Sequence, residues 1–119
     1  MKYSRLIFYF SLLIVFILST VNANDIPRLN SLSMLSDKLV HLSIYAYLCF
    51  VGFICKFKIS NVTLAIYIFL FGTFIELIHY FHPNRYFEYF DLLANLFGVT
   101  IALLINKLKK LNCLLIYIF

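Results

Sequence analysis

Ten polar side chains collect in two short stretches of an otherwise apolar chain: Asp37, Lys38 and His41, then Glu76, His79, His82, Arg85, Glu88, Asp91 and Asn95. Their types define what they could do together. Arg85 and Lys38 could hold an anionic group, Arg by a planar bidentate fork and Lys as a point charge. Glu76 and His41 are the candidates for proton transfer, since carboxyl and imidazole groups are the usual acids and bases near neutral pH. Glu76-x-x-His79 also has the spacing found in di-metal helical bundles, where His41, His82 and Asp91 would add ligands. Such bundles repeat the motif on a second helix, whereas this chain carries one copy, so no metal is assigned.

The elements that carry these residues follow from composition. Of 119 residues, 64% are hydrophobic and 13% are charged, with a mean hydropathy of +0.96. A soluble domain is about 45–50% apolar and about 25% charged, and a small one cannot hide this excess because much of its surface stays exposed. A soluble enzyme, a disordered chain and a disulfide-rich secreted module are excluded. With 3 Gly and 2 Pro there is no Gly-rich phosphate cradle, so no cofactor is assigned. The Lys and Arg residues form no stripe interleaved with stacking aromatics, which argues against nucleic acid. Cys49, Cys55 and Cys113 form no CxxC pair, and neither a disulfide nor a zinc site is expected.

Four apolar runs, about 6–20, 39–55, 62–81 and 90–105, predict an all-α integral membrane bundle of four transmembrane helices in a single domain. Seven basic residues (Lys2, Arg5, Lys56, Lys58, Lys107, Lys109, Lys110) fall on one side of these runs, and three (Arg28, Lys38, Arg85) on the other. The positive-inside rule then puts both termini in the cytoplasm and the polar residues outside. The first run, with Lys2 and Arg5 before it and Val21-Asn22-Ala23 after it, also fits a cleaved secretory signal. Asn61-Val62-Thr63 matches the glycosylation pattern but falls on the cytoplasmic side. The apolar tail 113–119 is too short to span; it would lie on the inner interface or prolong the fourth helix.

Helical spacing groups the polar residues by face. Asp37 and His41 share a face that runs on through Tyr45, Leu48 and Gly52, while Asp91 and Asn95 share one with Gly98 and Ala102. Glu76 has Gly72 four residues before it and His79 three after it. Each helix therefore bears polar groups at its outer end and small residues deeper, the pattern by which membrane helices approach and bond across. The first run is expected to brace the others. Tyr80, Phe81, Tyr86, Phe87, Tyr89 and Phe90 form an aromatic collar suited to the headgroup level.

These same residues resemble the VanZ-like family of small bacterial membrane proteins. Asp37-Lys38-x-x-His41 is similar to its first signature. Glu76, Pro83, Arg85, Asp91, Asn95 and Gly98 match the order and spacing of its second. His79 stands where the family has Gln, and Ala102 where it often has Gly. The likeness covers about residues 37–105. It implies a bacterial cell-membrane protein with its polar cluster on the extracytoplasmic side, and, through the branch that names the family, an effect on glycopeptide (teicoplanin) susceptibility.

Two roles compete for the cluster. In one, Asp37, Lys38, His41, Glu76, His79, Arg85, Asp91 and Asn95 bind an anionic lipid headgroup, a lipid-linked wall precursor or a glycopeptide at the outer leaflet. In the other, the same groups only fix helix packing. The binding role requires the outward placement. Reporter fusions after Lys58 and after Lys110 are expected to read cytoplasmic, and one at Glu88 external; a cytoplasmic signal at Glu88 removes the basis of the site.

Overall fold

The structure, a computed structural model, describes residues 2–20, 30–81 and 89–118. It contains four helices: α1 (Lys2–Ser19), α2 (Asn30–Ile54), α3 (Asn61–Phe81) and α4 (Tyr89–Ile118). No strand occurs among the described residues. Three stretches, Asp37–Ile54, Asn61–Phe81 and Tyr89–Ile118, are long and apolar enough to cross a membrane, whereas α1 is apolar over the shorter stretch Tyr3–Ser19. The chain is thus an all-helical, membrane-embedded protein.

One boundary differs from the sequence expectation, and a second follows one of its two alternatives. α2 begins at Asn30, well inside the loop expected over 21–37, because no Gly or Pro interrupts residues 30–51. α4 continues to Ile118, so the apolar tail prolongs the helix. The small-residue stretch 21–23 lies outside the described residues.

Helices are the form in which an apolar chain satisfies its backbone without water. Four helix hydroxyls follow the same rule by bonding back to a carbonyl of their own helix: Ser11 to Ile7, Ser43 to Leu39, Thr73 to Phe69 and Thr100 to Leu96. α2 ends at Ile54, and two residues on Lys56 adopts a left-handed conformation with φ of 51°. Ser60 then caps α3, its hydroxyl accepting from the Thr63 N–H at 3.1 Å.

α2 is the central element and α4 its principal neighbour, while α3 packs against both and α1 packs on α2. The core is built from Tyr45, Leu48 and Cys49 of α2, Leu64, Ala65 and Ile68 of α3, Val99 and Ala102 of α4, and Phe8 of α1. Gly98 permits the tightest contact. A Cβ there would collide with the Leu42 carbonyl oxygen of α2 and crowd the Ala46 nitrogen at 3.2 Å. Backbone cannot yield as a side chain can. At Gly52 an added Cβ would instead meet the Leu64 side chain at 2.7 Å, which has rotamer freedom to move.

Gly98→Ala is expected to force α2 and α4 apart and cost about 1–3 kcal/mol, read as a lowered thermal midpoint of the detergent-solubilised protein. Gly52→Ala is expected to lower it less; the reverse order contradicts the close α2–α4 approach. In the same preparation a maleimide should label exposed Cys113 rapidly, and buried Cys49 and Cys55 only after denaturation.

Candidate functional site

The polar residues meet where the C-terminal end of α3 and the N-terminal part of α4 adjoin the first turns of the apolar segment of α2. Glu76, His79, Asp91 and Asn95 are all buried. Lys38 and His41 are partly exposed, and Asp37 keeps 54% of its side-chain surface. One face of each helix supplies them. Tyr45, Leu48 and Gly52 below His41 are buried, as are Gly72 below Glu76, and Ala94, Gly98 and Ala102 with Asn95.

Two strands of interaction run through the cluster. Between α2 and α4, the Lys38 ammonium donates to the Asp91 carboxylate and also approaches Asp37 at 3.4 Å. One turn deeper, His41 Nδ1 pairs with Asn95 Oδ1 at 3.2 Å, while His41 Nε2 lies 4.0 Å from Asp37. Since an amide oxygen only accepts, Nδ1 carries the proton in this contact. The second strand joins α3 to α1. His79 Nε2 donates to the Ser19 carbonyl at 2.7 Å, and His79 Nδ1 faces Glu76 Oε1 at 3.4 Å.

Glu76 is the outlier. Both of its carboxylate oxygens are buried without a hydrogen bond, although buried polar groups almost always find one. Gly72, one turn below, leaves room for its neighbours: a Cβ there would meet the Tyr45 ring at 2.7 Å and the Asn95 amide at 2.8 Å. Asn95 and Tyr45 thereby press against α3 just beneath the acid.

Asp37, His41 and Asp91 bring three potential metal-ligand atoms within 4.8 Å of one another. The Lys38 ammonium already sits against both carboxylates, so a metal ion would have to displace it. The Glu76-x-x-His79 pair contributes nothing to that triad, because His79 is turned toward Ser19. His82, Pro83, Arg85 and Glu88 lie outside the described residues, as do Tyr86 and Phe87 of the expected collar; Tyr80, Phe81, Tyr89 and Phe90 are exposed.

The sequence reading put the site among three helices and made α1 a brace. The Ser19 carbonyl adds α1 as a direct neighbour of His79. A backbone acceptor leaves no mark in a residue pattern, so no signal could have found it. Tyr45 was visible as the residue one turn below His41, although its place beneath Glu76 depends on the α2–α3 contact. Comparison with protein-family models, curated proteins and solved structures finds no match for this chain.

Because Asp91 is buried and Lys38 largely so, removing one partner strands the other. Lys38→Met is expected to destabilise the protein by about 3–5 kcal/mol, and Lys38→Met with Asp91→Leu to regain much of that loss. A double variant no more stable than Lys38→Met contradicts the pairing.

Proposed function

We propose that the chain is a VanZ-like integral membrane protein of the bacterial envelope, with four spans and both termini cytoplasmic. Its polar cluster opens at the outer face and binds the polar head of a ligand residing there. The seven-to-three division of Lys and Arg supports the orientation. Retention of α1 as a fourth span is supported by the burial of Phe8 in the core, the Ser11–Tyr47 contact at 3.1 Å and the bond from His79 to Ser19. A cleaved leader would leave these partners exposed.

The unsatisfied Glu76 carboxylate carries the binding reading. Lys38, Asp91, His41, Asn95 and His79 all have partners, as a packing device requires; Glu76 has no hydrogen bond. A buried acceptor of this kind calls for a donor from outside, such as a ligand hydroxyl or amine. His79 Nδ1, at 3.4 Å from Glu76 Oε1, is its nearest polar neighbour. Lys38 is committed to Asp91, which leaves Arg85 as the anchor for an anionic group. An anionic lipid headgroup, a lipid-linked wall precursor and a glycopeptide all combine an anion with hydroxyl or amine donors, and glycopeptide susceptibility is the corresponding phenotype. Glu76 and His41 are the proton-transfer candidates should the ligand be modified.

The second reading, a cluster that only fixes packing, draws on the Lys38–Asp91 and His41–Asn95 bonds between α2 and α4. Membrane abundance separates the two. Glu76→Gln and Arg85→Ala are expected to abolish the change in glycopeptide susceptibility conferred by expression, with membrane abundance and thermal midpoint near wild type. His79→Gln should preserve both. Parallel loss of abundance and effect across Glu76→Gln, Arg85→Ala and Asp91→Asn would leave packing as the only role.

A further inference from the structure

The opposite end of the bundle holds a second, unrelated feature. α1 and α3 run in the same direction and are tied at their polar ends by the bond from His79 to Ser19. Toward their starts they part around a cleft of about 390 Å³, within the usual range of ligand pockets. Phe8, Tyr9 and Leu12 of α1 and Leu64, Tyr67, Ile68 and Phe71 of α3 line it, together with Lys58 of the preceding turn. The turn after α2 closes one side. The Phe57 ring packs against Phe8 at 5.5 Å and Tyr9 at 6.1 Å, and the Arg5 guanidinium lies over it, 5.3 Å from its centroid. One cation, Arg5, thus lies over the aromatic wall Phe57, and a second, Lys58, belongs to the lining itself.

Three physical constraints select the occupant. The lining is mainly apolar, its polar side chains being Tyr9, Tyr67 and Lys58, so most of the cleft offers water no partner. Left empty, it would forfeit dispersion contacts along its whole lining. Beside a bilayer, the apolar chain at hand is a lipid tail. Arg5 and Lys58 then decide the headgroup, because guanidinium and ammonium groups at a helix end are the usual partners of lipid phosphates. Lys56, Lys107, Lys109 and Lys110 give the same end of the molecule a positive field.

We propose that this cleft binds one anionic phospholipid, its acyl chain between α1 and α3 and its phosphate held by Arg5 and Lys58. The site is independent of the polar cluster and of the reading given to that cluster. It makes the lipid a structural partner of α1, filling the part of the α1–α3 interface that side chains leave open.

The test uses the purified full chain in detergent, offered phosphatidylglycerol and phosphatidylcholine with identical acyl chains and read by native mass spectrometry. Wild type is expected to retain one phosphatidylglycerol per chain in preference to phosphatidylcholine. R5Q/K58Q is expected to reduce that preference on the order of tenfold, with Cys55 still protected from maleimide. Lys58→Gln alone, at an exposed side chain, is expected to lose part of it. K109Q/K110Q, which removes two charges from α4 away from the cleft, is expected to leave it unchanged. Equal retention of the two lipids by wild type overturns the proposal. So does an unchanged preference in both R5Q/K58Q and Lys58→Gln, or an equal loss in K109Q/K110Q, which would assign the selectivity to diffuse charge. A wild-type dimer that excludes lipid would give the cleft to a second copy.

Discussion

The approach of α4 to the backbone of α2 at Gly98 sets the geometry of everything above it. Only a residue without a Cβ lets the Leu42 carbonyl come this close, and the helical repeat then dictates which residues face each other. One turn toward the polar end, Asn95 falls opposite His41; a further turn brings Asp91 opposite Lys38. Neither bond is independent of that contact, because both need the two axes close together in register. In a low-dielectric interior each polar pair is correspondingly strong when made and costly when broken.

α3 enters on different terms. It too has a glycine at its contact, Gly72, but the atoms pressed against it are the Tyr45 ring and the Asn95 amide. Side chains, not backbone, fill the gap, and the polar group above Gly72 ends up without a hydrogen-bonding partner. Glu76 lies at the level where the α2–α4 pair has used its hydrogen-bonding groups on itself, and His79 has turned one nitrogen to α1. The α2–α4 seam is satisfied and the α3 acid is not, and that asymmetry is the observation on which the proposed binding role rests. A device for packing alone would have been met as well by a Gln or an apolar residue at position 76.

Much of this was legible in the residues. The faces Asp37–His41–Tyr45–Leu48–Gly52 and Asp91–Asn95–Gly98–Ala102 follow from a 3.6-residue repeat, and apart from Asp37 and His41 at the outer edge these side chains are buried. Which residue would bond to which was not legible, because pairing depends on the relative heights of helices joined by loops. Lys38 could by type be an anion anchor or a counter-ion to the cluster's own carboxylates; its height opposite Asp91 pairs it with that group. The start of α2 at Asn30 was hidden for another reason. Hydropathy marks the part of a helix that meets lipid, and helices continue past that part wherever nothing stops them.

The length of α4 joins the two ends of the molecule. Thirty residues rise about 45 Å, against a hydrocarbon core of roughly 30 Å. From Tyr89 to Lys107 the rise is about 27 Å, so a helix that enters beside the aromatic residues Tyr89 and Phe90 reaches the far interface where Lys107, Lys109 and Lys110 begin. The start of α1 and the turn between α2 and α3 lie at that same level, and they bring Arg5, Lys56 and Lys58 with them. A single thickness therefore fits both the polar cluster at one boundary and the basic rim of the α1–α3 cleft at the other. The α2–α4 seam holds the first together with protein groups alone. The second has apolar walls and charges without a protein chain between them, which is the complement of a lipid.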